Sequence, residues 1–260
     1  MDVTVARRSL LIALLAAAAL TTADTLPALG RGAGVLQFWP GVTLWAWERA
    51  EDLRGAGADV GVAFLAATVR LSGTRVDVQP RHQPLDHDAG ARVMAVIRIE
   101  TSRQEPPVLT PALARTLATE LARLQQTTRA TALQIDFDAA TTERAFYAQL
   151  IQATRATIGT VPLSITALAS WCDGDNWLDR LPHGAIDEAV PMLFRMGPFN
   201  DGLRDAGVRN RLRASACRNA VGVSTDEPTA PLGQRRRVYV FSPTRWTPAS
   251  MTRAVSEARR

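Results

Sequence analysis

Ala132-Leu133-Gln134-Ile135-Asp136-Phe137-Asp138 is the stretch on which the fold turns. Apolar and polar residues alternate through it. Leu133, Ile135 and Phe137 share one face of an extended chain, and Gln134, Asp136 and Asp138 share the other. A barrel strand is apolar toward its covering helices, so the polar set must point into the barrel.

The segments on either side repeat the pattern. Short apolar runs at 43–47, 60–66, 93–99, 132–138, 163–168, 189–194, 220–224 and 238–241 predict eight strands, the number a closed barrel needs. Helical segments fill several of the gaps. Residues 111–126 follow Thr110, a good N-cap, with Pro111 at the first helical position. Residues 142–157 are amphipathic, and 247–259 carry Pro248 at the start. Strand–helix alternation implies a parallel sheet. The predicted fold is α/β, a (β/α)8 TIM-type barrel. Val69–Leu71 and Val76–Val78 around Ser72-Gly73 predict a small β-hairpin inserted after the second strand.

The inward sets of the other strands are also polar. Arg98 and Glu100 continue the face of Met94 and Val96, Ser164 and Thr166 share a face, and so do Gly222, Ser224 and Asp226. Tyr239 and Phe241 face inward on the last strand. Polarity rises toward the C-terminal strand ends, where the active sites of such barrels lie. Asp136 and Asp138, about 7 Å apart along the strand, are the catalytic candidates, with Glu100 or Asp226 as partner. The spacing suits an acid and a base at a glycosidic bond. Asp136 is the deeper of the two, with Arg98 or Thr166 expected to hold it. Trp45, Trp47, Trp171, Trp177 and Trp246 fall near strand ends, where aromatic rings serve as platforms for sugars. Arg98, Trp45, Trp47, Trp171, Arg195 and Tyr239 are the substrate-binding candidates.

Composition narrows the alternatives. The 260 residues suit one domain, with 47% hydrophobic and 21% charged residues. The net charge is +5, and all 30 basic residues are arginine. They are scattered apart from Arg235, Arg236 and Arg237, so no nucleic-acid-binding face is expected. Without lysine there is no P-loop and no Schiff base to pyridoxal phosphate. Gly30 to Gly34 follows no strand and is not a dinucleotide loop. His82, Asp86, His87 and Asp88 lie in a proline-containing loop expected to be solvent-exposed, and His183 follows Pro182 in a turn. No cofactor and no metal are expected.

The N-terminus has the layout of a secretory signal: basic Arg7-Arg8, apolar Leu10 to Leu20, then small residues through Ala23. A buried first helix or an uncleaved anchor is the alternative. The expected organisation is a signal peptide at 1–23, a linker at 24–35 and the barrel at 36–260, in the periplasm or secreted. No membrane span is expected beyond the signal segment. Cys172 and Cys217 are the only cysteines, and in an oxidising compartment they are expected to pair.

The motifs at 133–139, 163–172, 187–197 and 224–228 together resemble a bacterial domain-of-unknown-function family of exported (β/α)-barrel proteins. The likeness covers nearly all the chain after the linker. A more distant resemblance is to chitinase-type glycoside hydrolases, whose fourth strand reads Asp-Gly-x-Asp-x-Asp-x-Glu. Asp136 and Asp138 match its second and third acids. Leu133 stands at the first acid, Gln134 at the glycine and Ala140 at the catalytic glutamate.

The resulting expectation is a carbohydrate-active, glycoside hydrolase-like barrel, with a polysaccharide or oligosaccharide as partner. The rival is a non-catalytic barrel that binds envelope polysaccharide or a protein partner. The oligomeric state is left open by the sequence. N-terminal sequencing of the exported protein should give a chain starting at or next to Ala23; a chain beginning at Met1 would contradict the signal assignment.

Overall fold

Runs of valine, isoleucine, leucine and alanine with period two build the strands, and pairing of the first with both its neighbours closes them into a ring. The computed structural model describes residue 36 and residues 39–175, 177–194, 212–227 and 236–260. The expected signal segment, linker and Ala23 cleavage point lie outside them, as does Arg195. In chain order the elements are β1 (Val42–Ala46), β2 (Glu51–Asp52), β3 (Val60–Ser72), β4 (Arg75–Pro80), β5 (Leu85–Asp86) and β6 (Val93–Thr101). There follow α1 (Pro111–Thr127), β7 (Ala132–Asp136), α2 (Arg144–Ile158), β8 (Leu163–Leu168), α3 (Ala169–Asp173), β9 (Glu188–Met192), β10 (Ala220–Ser224), β11 (Arg237–Phe241) and α4 (Pro248–Ala258).

Eight strands pair in parallel in the order β1-β3-β6-β7-β8-β9-β10-β11, and β11 returns to β1. This is a closed (β/α)8 TIM-type barrel. β4 runs antiparallel along the far half of β3, so the expected hairpin is present, with Ser72 paired to Arg75. Helix starts follow local chemistry. Thr110 Oγ1 accepts the Leu113 N–H at 3.1 Å, and Thr247 Oγ1 accepts that of Ser250 at 3.1 Å. Each cap precedes a proline at the first helical position, where the missing N–H would have had no helical partner.

One boundary differs in a way that matters. β3 continues six residues past the expected end at Ala66, through a register shift between Leu65 and Ala67. A bulge exchanges the two faces of a strand. Ala67, Val69 and Leu71 therefore join the outer core, while Thr68 and Arg70 stand on the face of Arg98 and Glu100.

The barrel interior is filled. Leu36 and Trp39 pack with the residues of the N-terminal end, and Tyr239, Met94, Val96, Trp45 and Phe241 occupy the centre. The Trp45 indole N–H donates to Gln134 Oε1 at 3.0 Å, and Gln134 Nε2 donates to Ser164 Oγ at 3.0 Å. Glu188, fully buried, accepts from Arg237 Nε at 2.8 Å and from the Tyr239 hydroxyl at 2.5 Å. On the outside, Cys172 after β8 and Cys217 before β10 form a disulfide with Cα atoms 6.0 Å apart.

Three stability outcomes are expected. Glu188→Ala strands the Arg237 charge inside the barrel and should cost about 3–5 kcal/mol in denaturant melts. Arg70→Ala, at an exposed ion pair, should stay within about 1 kcal/mol. Reducing the disulfide releases a loop of 45 residues and should lower the unfolding free energy by about 4 kcal/mol on chain-entropy grounds.

Candidate active site

Parallel pairing puts the C-terminal ends of the barrel strands at one mouth. Arg98 of β6 and Asp136 of β7 are register partners there. Arg98 Nη1 lies 3.4 Å from Asp136 Oδ2, and Thr166 of β8 donates its hydroxyl to Asp136 Oδ1 at 2.7 Å. Both expected partners of Asp136 are thus in contact with it. Arg98 Nε also meets Glu100 Oε1 at 3.1 Å, and Arg70 Nε meets Glu100 Oε2 at 3.0 Å. A chain of alternating charge runs from Arg70 through Glu100 and Arg98 to Asp136.

Depth separates the two aspartates. Asp136 is buried at 5% exposure, and Asp138, two residues on, is exposed at the rim. Burial pushes the Asp136 carboxyl above its ordinary range, against the pull of Arg98 and Thr166. The protein crowded around Asp138 pushes its pKa up to about 6, helped by the charge of Asp136 and opposed by Arg98. Desolvation would weaken the Arg98 charge, yet Asp136, Asp138 and Glu100 outweigh it and raise its pKa. Glu100 goes the other way: partial burial is overcome by Arg70 and Arg98, which hold it ionised below the usual range. The mouth therefore holds one carboxylate, Glu100, fixed in the charged form and another, Asp138, that titrates near pH 6.

The remaining candidates divide. Trp47 is half-buried at the mouth, its ring 4.3 Å from that of Trp45 and 6.3 Å from Phe241. Asp226, beyond β10, is exposed and accepts a hydrogen bond from Ser224, three strands around the barrel from β7. Three expected substrate contacts are corrected. Trp45 is wholly buried inside the barrel, stacked on Phe241 at 5.0 Å, so it fills the centre below the mouth. Tyr239 is wholly buried too, its hydroxyl given to Glu188. Trp171 is 1% exposed and lies outside the barrel wall, edge-on to Tyr147 and Trp177, because α3 turns it under the helices. Trp177 and Trp246 are likewise buried.

Some participants escaped the sequence reading. Arg70 and Thr68 reach the mouth face only through the bulge in β3. Glu188 begins β9 one residue before the expected strand, and period-two alternation back from Val190 would have found it. Among the described residues, no cluster of three or more His, Cys, Asp or Glu side chains could hold a metal ion. No helix among them is long and apolar enough to cross a membrane.

A closed parallel barrel with charged side chains gathered at the C-terminal mouth defines the class. The family described as Domain of unknown function (DUF3142) matches residues 89–219, just over half of the chain, and the chain belongs to that family. No protein of curated function matches significantly. Solved structures with the same fold include one described as a putative chitinase A from Streptomyces coelicolor, at 12% identity and TM-score 0.54, covering 85% of this chain and 97% of that one. A family 18 chitinase from Crocus vernus aligns at 12% identity and TM-score 0.51, over 84% and 96% of the two chains. A GH18 chitinase from Pseudoalteromonas aurantia aligns at 10% identity and TM-score 0.50, over 83% and 99%. At these identities the likeness is one of fold.

Carboxyl-carbon NMR should find Asp138 titrating with a midpoint near 6, and Arg98→Gln should move that midpoint upward. A raised carboxylate pKa means that the folded state binds the extra proton. Stability should therefore fall as pH rises from about 4, the unfolded value, to about 6, and Asp138→Asn should flatten that slope. An Asp138 midpoint near 4 in the folded protein, about the ordinary value, would contradict this electrostatic account.

Proposed function

We propose that this protein is an exported, carbohydrate-active barrel of the glycoside hydrolase kind, working in the periplasm or outside the cell. The observation that carries the reading is the arrangement at the barrel mouth, where Asp138 stands above an Asp136 held by Arg98 and Thr166, in surroundings that push the Asp138 pKa up to about 6. A carboxyl of that kind is protonated in weak acid and can serve as a general acid. In its protonated form Asp138 gives its proton to the glycosidic oxygen as the bond to the sugar carbon breaks. Water adds its hydroxyl to that carbon, and its remaining proton restores Asp138. Asp136 acts as a positioning residue: its charge raises Asp138 and its side chain anchors Arg98. Trp47 offers an apolar ring at the same mouth. The fold shared with chitinases supports a glycan as substrate.

Ala140 supports a second reading, in which the same mouth holds glycan without cutting it. Its methyl group stands where the chitinase pattern has its glutamate, and its backbone N–H is capped by Glu143 at 2.7 Å.

Reducing-sugar release from a glycan panel separates the two. Hydrolysis should be fastest below about pH 6, and Asp138→Asn should lower kcat by about a hundredfold or more with the melting temperature not reduced. Turnover equal to wild type in Asp138→Asn would end the catalytic reading. Saturable glycan binding without turnover in either protein would favour the second.

A further inference from the structure

Beside the mouth the hairpin of β3 and β4 borders a groove of about 340 Å3, lined by Glu48, Leu65, Ala67, Thr68, Gln79, Pro80 and His82. Its size lies at the small end of ligand pockets, which run from about 300 to 1,000 Å3. We infer that this groove is a second saccharide subsite, holding a neutral, hydroxyl-rich ring of a glycan whose next units extend over Asp138. The inference rests on the glycan reading of the mouth.

Position comes first. The bulge in β3 turns Thr68 onto the inner face, where it is the register partner of Arg98. Gln79 pairs with Thr68 across the hairpin. The groove therefore begins one strand away from the Arg98–Asp136 pair and shares a wall with it.

Chemistry comes next. Pro80, exposed beside the groove, supplies an apolar surface suited to the C–H face of a sugar ring, while Leu65 and Ala67 are buried behind it. Around it stand hydroxyl, amide, imidazole and carboxylate groups with bonding capacity to spare. Among the described residues, neither the Thr68 hydroxyl nor the His82 ring has a hydrogen-bond partner. Gln79 uses one amide N–H on Asp77 at 2.9 Å, leaving its carbonyl oxygen open. Glu48 Oε1 is occupied by the backbone N–H groups of His82 and Gln83, at 2.9 and 3.1 Å, while Oε2 stays 3.8 Å from Arg81. Mixed donors and acceptors match vicinal hydroxyls, and the Glu48 carboxylate disfavours phosphate or an acidic sugar.

The groove is also preformed. Arg81 donates to the carbonyls of Trp47 at 2.6 Å and Arg49 at 2.5 Å, and to that of Gln83 at 2.9 Å. Those bonds tie the corner after β4 to the loop after β1. A ligand arriving there loses little free energy to ordering the walls.

The test is a length series of chito- and cello-oligosaccharides, from disaccharide to hexasaccharide, measured by calorimetry on the full chain. His82→Ala and Gln79→Ala should weaken hexasaccharide binding about tenfold relative to disaccharide binding, as expected for lost hydrogen bonds. Thr68→Trp, which fills the groove, should do the same or more. Arg123→Ala, on the outer face of α1, serves as control, and melting curves check that each variant folds. Glycan binding with the same length dependence in wild type and all groove variants would overturn the subsite while leaving the mouth reading intact. Failure of wild type to bind any oligosaccharide at millimolar concentration would overturn both.

Discussion

Pairing of Val42–Ala46 with β11 on one side and β3 on the other closes the sheet, and the interior and the mouth both depend on that closure. Once the ring is shut, one face of every strand is sealed from water by the other strands. Whatever polar groups lie on that face must satisfy each other. Below the mouth they do so in pairs and short chains: Glu188 with Arg237 and Tyr239, Trp45 with Gln134 and Ser164. These groups fix the register of β7, β8, β9 and β11 while the aromatic rings fill the volume. The interior is a packed core whose polar groups are satisfied from within.

The same logic breaks down at the C-terminal end, and the candidate chemistry lies there. Among the described residues Arg98 is the only cation in an ion pair with Asp136, yet it also serves Glu100, which in turn holds Arg70. One guanidinium shared between carboxylates leaves the group incompletely neutralised. The surplus negative charge falls on Asp138, at the rim. Desolvation by the surrounding protein pushes that carboxyl up to about 6, and the charge of Asp136 adds to the shift.

Membership of a domain-of-unknown-function family and a chitinase-like fold constrain this protein in different ways. The fold accounts for the mouth, the orientation of the strand ends and the space above them. It leaves the reaction to the residues. Two acids of the fourth-strand pattern are kept, and the position of the glutamate carries a methyl group. Among the described residues, Asp136, Asp138 and their ion-paired neighbours are the charged groups gathered at the strand ends of β6 and β7. The β3–β4 hairpin borders the mouth on one side, with Thr68 and Arg70 in register with Arg98 and Glu100.

By itself the sequence determined the barrel, because period-two alternation, strand–helix order and threonine–proline helix starts are local properties of the chain. It also determined which face of β7 turns inward, and with it the candidacy of Asp136, Asp138, Arg98 and Thr166. Tertiary structure decided the rest. The bulge between Leu65 and Ala67 reverses the alternation of β3, which depends on pairing with β6 and β4, so Thr68 and Arg70 were invisible as mouth residues. Trp45, Trp171 and Tyr239 carry the same rings as any sugar platform. Only their surroundings decide exposure: the barrel centre for Trp45, the helix layer for Trp171, and the Glu188 carboxylate for Tyr239. The division between a buried Asp136 and a titrating Asp138 is likewise tertiary, since depth below the rim and the sharing of Arg98 set their proton affinities.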